Sequence, residues 1–214
     1  SLYTELVENR SFARELLTIL GSSEFLSETL IRHPEYLDLV TRAGAVTAEP
    51  FFEPSPEEIT NLPRFMEAIR RFKQHEEFRI GVAEISSPGE IAHRAALSRA
   101  ADSILRTLLA RLAEDADLNE SAFCLVGLGK LGGCELTFHS DLDLLFILDE
   151  EACSRNAAEF EPVIKKFREI LTSYTANGRA YEVDFRLRPE GTRSMEIVTR
   201  TQLIKYFETR IEAW

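Results

Sequence analysis

The stretch from Phe123 to Leu148 constrains this chain more than any other. Two short β-prone runs, Phe123 to Val126 and Leu142 to Leu148, flank Gly127-Leu128-Gly129-Lys130-Leu131-Gly132-Gly133. The glycine run contains G-x-G-x-x-G directly after a predicted strand, and Asp149 and Glu150 stand where a dinucleotide-binding fold carries its ribose-binding acid. Spacing argues against that fold. Parallel strands need a crossover of about a dozen residues or more, and the interval from Gly133 to Ser140 is shorter. A P-loop is excluded as well, because no glycine stands five positions before Gly129 and no Ser or Thr follows Lys130. On the glycines alone, a turn that merely reverses the chain stays open.

The acids that follow point to chemistry. Ser140-Asp141-Leu142-Asp143 opens the second run, so strand alternation puts Asp141 and Asp143 on one face and Leu142, Leu144 and Phe146 on the other. Neighbouring carboxylates repel and resist double ionisation. A divalent cation removes the conflict, and magnesium is suited to it, taking one or two carboxylates and completing its shell with water and substrate phosphate. Leu145-Phe146-Ile147-Leu148 is continuously apolar, as in a strand buried on both faces, where unpaired acids at the opening edge are costly. Further on, Tyr181, Val183, Phe185 and Leu187 alternate with Glu182, Asp184, Arg186 and Arg188, which predicts a strand with one apolar and one polar face. If this strand neighbours the aspartate strand, Asp184 joins Asp141 and Asp143 around two metal ions, with the arginines aimed at phosphate oxygens. Taken alone, the same polar face is a solvated ladder of ion pairs.

Upstream the apolar period is helical. Leu6, Phe12, Leu16, Leu17 and Leu20 form one stripe that Gly21 stops, and Phe25, Leu26, Leu30 and Ile31 form another that ends at His33-Pro34. The proline-bearing stretch Gly44 to Pro63 reads as a surface connection with short helical turns, and longer helices are expected over Phe65 to Ile80 and Ile91 to Leu112. Downstream, a helix is expected between Arg155 and Tyr174, a strand over Met195 to Thr199 and a last helix from near Thr201. The expected fold class is therefore α+β, a helical region over residues 1–118 followed by a mixed region over 119–214.

Composition excludes several roles. With 25 Lys plus Arg against 36 Asp plus Glu, the formal charge of −11 opposes a chain that wraps nucleic acid or an anionic membrane. A phosphate-bearing ligand would need local arginines or metal ions. No apolar run approaches the ~20 residues of a membrane span. Cys124, Cys134 and Cys153 are an odd, sparse set that suits a reduced, cytoplasmic setting, and the histidines lack the paired spacing of a zinc site.

A glycine turn, then Asp-x-Asp, then a single acid on a later strand resembles the nucleotidyltransferase superfamily that includes DNA polymerase β. The closer resemblance is to the glutamine synthetase adenylyltransferase/adenylyl-removing family. Its signature Gly-x-Gly-Lys-Leu-Gly-Gly-x-Glu-Leu is matched by Gly127 to Leu136, and Ser-Asp-x-Asp-Leu by Ser140 to Leu144. A second signature, Val-Asp-x-Arg-Leu-Arg-Pro, is matched by Val183 to Pro189, and Leu30 to Glu35 resembles a segment of the family's helical region.

The resemblance implies a polymerase β-like core over 119–214, a small mixed sheet flanked by helices, as part of a longer chain. It implies AMP transfer from ATP to a tyrosine of glutamine synthetase, a control point of nitrogen assimilation. Asp141 and Asp143 would bind two Mg2+ ions, with Asp184 on the nucleophile-side ion. Gly129, Lys130 and Ser140 would hold the β- and γ-phosphates, and Arg186 and Arg188 are candidates for phosphate or partner contact, one of them open to a structural role. Glutamine synthetase is the implied partner, with a PII-type signalling protein acting through the parent chain. Leu136 to Ser140, Gly191 to Thr199 and Leu30 to Glu35 resemble the transferase half more than its counterpart. Phosphorolytic removal of AMP and a catalytically silent domain of the same fold remain as alternatives.

Overall fold

The computed structural model of the chain describes residues 6–41, 50–118, 123–150, 157–186 and 196–210. Side-chain caps set the first helices. Asn9 accepts from the Phe12 N–H and opens α1 (Arg10–Ser22), and Ser23 accepts from the Leu26 N–H and opens α2 (Glu24–Arg32). Pro34, which lacks an N–H to satisfy, starts a 3-10 turn (Pro34–Tyr36) that runs into α3 (Leu37–Thr41). The stripes of these helices bury Phe12, Leu16, Ile19, Leu26, Leu30 and Val40 against Phe78 and Val82.

The stretch expected to be a surface connection is partly interior. Residues 42–49 lie outside the described residues, but Phe52 is buried, with its ring 6.0 Å from that of Phe65 and 5.2 Å from that of Phe72. Its N–H donates to Ser103 Oγ. One short helix does lie there, α4 (Pro56–Thr60), closed by a capping box in which Ser55 and Glu58 satisfy each other's backbone N–H groups. The long helices run further than their stripes suggest. Asn61 caps α5 (Leu62–Ser86), which starts three residues ahead of Phe65, and α6 spans Ile91–Asp115.

The second half supplies the sheet. In chain order it comprises β1 (Phe123–Gly127), the single-turn helix α7 (Gly129–Gly132), β2 (Leu142–Leu148), α8 (Ala157–Thr172), β3 (Val183–Asp184), β4 (Ile197–Thr199) and α9 (Arg200–Arg210). β2 is central. β1 pairs with it antiparallel, the outcome of a link too short for a crossover, while β3 and β4 pair with it in parallel. β3 aligns Leu142 with Val183 and Asp143 with Asp184; β4 aligns Phe146 with Ile197 and Leu148 with Thr199.

Of the expected strand Tyr181 to Leu187, Leu187 lies outside the described residues, and among Tyr181 to Arg186 two residues, Val183 and Asp184, are paired. The alternation behind it is real, since Tyr181 and Phe185 are buried while Glu182 and Arg186 are exposed. Further along β2, β4 pairs with Phe146 to Leu148.

One hydrophobic core joins the halves. Ile69 of α5 and Ile104 and Leu108 of α6 meet Leu144 and Phe146 of β2 and Phe167 and Leu171 of α8. Among the described residues, no helix is long and apolar enough to cross a membrane. Phe167 is fully buried with its ring edge-on to Phe146 at 5.2 Å. Phe167→Ala is expected to lower the free energy of unfolding by about 3–5 kcal/mol, measured by denaturant titration.

Candidate active site

Three carboxylates meet at the start of β2. Asp141, Asp143 and Asp184 each bring an oxygen within 4.8 Å of the other two. The parallel register places Asp184 beside Asp143, and Asp141, two residues earlier, falls on the same face. Asp141 is exposed and the other two are half-buried. Burial raises the Asp143 pKa above the usual aspartate range, the charges of Asp141 and Asp184 raise it further, and Lys130 and Arg186 oppose them. Three close, mutually repelling oxygen donors form a set suited to a hard divalent cation.

Gly129 is shaped around this cluster. Its φ of +50° is left-handed, and a Cβ there would stand 2.3 Å from Asp143 Oδ2. The Leu128 N–H donates to the Asp143 carbonyl at 2.8 Å, and a Cβ on Gly132 would meet the Gly127 carbonyl oxygen at 2.6 Å. Absent side chains therefore let α7 pack against the opening of β2. Lys130, exposed on α7, contributes its charge to Asp143.

The remaining expected residues divide. Arg186 grips Asp184: its backbone N–H donates to Oδ1 at 2.7 Å, and Nε lies 3.0 and 2.8 Å from the two carboxylate oxygens. The hydrogen bonds to Asp184 and its charge hold the guanidinium above its usual pKa. Ser140 bonds back to Thr137, hydroxyl to hydroxyl at 2.8 Å, and accepts the Thr137 N–H at 3.2 Å. That turn contains His139 and follows Cys134, two non-glycine residues of positive φ. Arg188 lies outside the described residues.

Sequence reading missed two charged residues here. Arg168 of α8 and Glu196 form an ion pair, and both line a cleft of about 350 Å³ with Asp141, Asp184 and Arg186. Arg168 lies over the Phe185 ring, 5.3 Å from its centroid. Arg168 belongs to no motif, Glu196 enters only as part of the Gly191 to Thr199 stretch, and no local period marks a helix arginine that a later strand will meet.

Two outcomes follow from this geometry. Gly129→Ala should destabilise the chain by about 1–2 kcal/mol through left-handed strain, and by less in an Asp143→Ala background that clears the carboxylate, as read by denaturant titration. Asp143→Asn should raise the melting temperature at pH 7 without divalent metal, by about 2–4 °C per kcal/mol of repulsion relieved; differential scanning calorimetry with chelator present measures it.

Comparison with known proteins agrees with these motifs. The family model for glutamate-ammonia ligase adenylyltransferase (GlnE) matches residues 13–214. Similar curated proteins include the bifunctional glutamine synthetase adenylyltransferase/adenylyl-removing enzyme of Mannheimia succiniciproducens, 32% identical over 87% of this chain and 22% of that protein. The enzymes of the same name from Hahella chejuensis and Bartonella quintana are 26% and 30% identical, over 100% and 92% of this chain and 25% and 23% of their own lengths. The chain spans about a quarter of the length of the curated relatives it matches. With the family model covering nearly all of it, the chain belongs to the glutamate-ammonia ligase adenylyltransferase family.

Proposed function

We propose that this chain is a nucleotidyltransferase domain that moves AMP from ATP to a tyrosine of glutamine synthetase, with Asp141, Asp143 and Asp184 holding two Mg2+ ions. The observation that carries the reading is the convergence of the three carboxylates within 4.8 Å, beside a glycine whose missing Cβ leaves room for Asp143. Relatives named as adenylyltransferases and adenylyl-removing enzymes support the substrate.

Each residue then has a task. Asp141 and Asp143 would hold the two ions, with Asp184 beside the nucleophile-side ion, where its carboxylate would receive the tyrosyl proton. Magnesium bound here would lower the pKa of the attacking oxygen and neutralise charge on the leaving phosphates. The tyrosyl oxygen bonds to the α-phosphorus as the bond to the bridging oxygen breaks, and pyrophosphate leaves. Lys130 offers a point charge to the β- and γ-phosphates, backbone N–H groups at Gly129 approach them closely, and the Ser140 hydroxyl turns from Thr137 to donate. Arg186 would share Asp184 with a bound cation, and Arg186 and Arg188 are assigned to phosphate or partner contact.

The relatives' names carry both directions, and phosphorolytic removal of AMP uses the same carboxylates. The setting we infer is cytoplasmic, where the free thiols of Cys124 and Cys134 stay reduced. Control by a PII-type signalling protein belongs to the same reading through the family resemblance.

The chain, assayed on glutamine synthetase and on its AMP-modified form, should consume ATP with Mg2+ and not orthophosphate. Asp143→Asn should abolish that transfer while its circular dichroism is retained. Unchanged activity in the variant would refute the metal assignment, and consumption of orthophosphate alone would assign removal instead. Failure of the wild-type chain to bind ATP with Mg2+ in calorimetry would favour a silent domain.

A further inference from the structure

Asp184 stands on a strand too short to hold itself. β3 is two residues long and pairs with β2 only at Leu142 and Asp143, whereas strands in stable sheets are usually about five or six residues. The position of the third carboxylate therefore depends on what restrains the chain leading to it. That chain leaves α8, turns through Thr175 to Gly178, and reaches Asp184 six residues later.

The restraint comes from α5, in the first half of the sequence. Arg70 is 1% exposed, among the largest fully buried side chains described. A buried guanidinium carries a desolvation penalty of several kcal/mol unless its protons are satisfied. Here backbone carbonyls satisfy them. Nε donates to Gly178 O at 2.9 Å, Nη1 to Met66 O at 2.7 Å, and Nη2 to Ile170 O at 3.0 Å and to Ser173 O. Ile170 lies in the last turn of α8 and Ser173 directly follows it, at the helix C-terminus where a cation is favoured by the helix dipole.

Neighbours on the same face of α5 complete the grip. Gln74 Nε2 donates to Asn177 O at 3.0 Å, and Asn177 Nδ2 donates to Glu67 Oε2 at 2.8 Å. Beyond the turn, the Tyr181 N–H donates to Leu171 O at 3.1 Å and the Leu142 N–H to Glu182 O at 2.9 Å, which carries the restraint up to β3.

We propose that Arg70, assisted by Glu67, Gln74 and Asn177, is a positioning residue that fixes Asp184 against Asp141 and Asp143 and so sets the cation affinity of the site. The inference rests on the metal reading above and adds that helix α5, remote in sequence from every motif, determines the geometry of the third ligand.

Mn2+ alone serves as the probe, followed by electron paramagnetic resonance on the full chain. Arg70→Met should weaken Mn2+ binding by about 10-fold or more, the usual scale for groups that orient metal ligands, with far-ultraviolet circular dichroism retained. Arg70→Lys, which keeps the charge but reaches fewer carbonyls, should restore part of that loss. Phe12→Ala, which opens the separate core formed with Phe78 and Val82, should lower stability and leave the Mn2+ affinity unchanged, separating positioning from general destabilisation. If Arg70→Met does not fold, Asn177→Ala carries the test, with a smaller loss expected. Mn2+ binding equal to wild type in a folded Arg70→Met or Asn177→Ala chain overturns the inference alone. A wild-type chain that binds no Mn2+ overturns the metal reading, and this inference with it.

Discussion

Mutual repulsion among Asp141, Asp143 and Asp184 is the constraint that the surrounding structure answers. At about 4 Å, two unit charges repel by roughly 4 kcal/mol at an effective dielectric of about 20, and by roughly 1 kcal/mol in bulk water. Exposure of Asp141 keeps its contribution toward the lower figure, while half-burial of Asp143 and Asp184 moves theirs upward. Lys130 and the forked contact of Arg186 with Asp184 offset part of the repulsion. The remainder makes Asp143 reluctant to ionise and leaves a cluster that a cation would relieve.

Such a cluster persists only on a scaffold rigid enough to oppose it. β2 supplies that rigidity, because Leu142, Leu144, Leu145, Phe146 and Leu148 are all buried and the strand is paired along both edges. Its opening residues inherit the order of the buried segment, so Asp141 and Asp143 sit at the mouth of the core. The single-turn helix α7 closes one side, and only glycine at position 129 permits its approach to Asp143. On the other side β3 contributes almost no pairing of its own, and Arg70 reaches through the core to hold the turn before it. Helices α5 and α6 are thus part of the site's frame, since the core they form is continuous with that of the sheet.

Much of this was legible in the residues. The run Leu142 to Leu148 predicts β2 at its observed bounds, and the short link after Gly133 rules out the crossover of a dinucleotide fold, consistent with the antiparallel hairpin found. Alternation from Tyr181 to Arg186 assigns the right faces, although pairing extends over two residues only. Local pattern does not report how far a partner strand is available, and here β2 pairs with β3 at its opening and with β4 at its far end. Phe52 was hidden for a similar reason. Prolines around it signal irregular backbone, and irregular backbone can still deliver one aromatic ring to the core.

What the sequence determined by itself were properties carried by neighbours along the chain: the periods of helices and strands, the caps at Asn9, Ser23 and Asn61, the steric permission at Gly129, and the pairing of Asp141 with Asp143 on one strand face. Tertiary structure alone decided that β3 lies parallel to β2 in a register that brings Asp184 to Asp143. It also decided that Arg186 turns onto Asp184, that Arg168 and Glu196 border the cleft, and that Arg70 spans from α5 to the chain entering β3. The division is physical. Backbone sterics and side-chain period act over a few residues and are written in order, whereas the burial of a guanidinium or the meeting of two acids depends on contacts between segments about a hundred residues or some forty residues apart, as for Arg70 with Gly178 and Asp143 with Asp184.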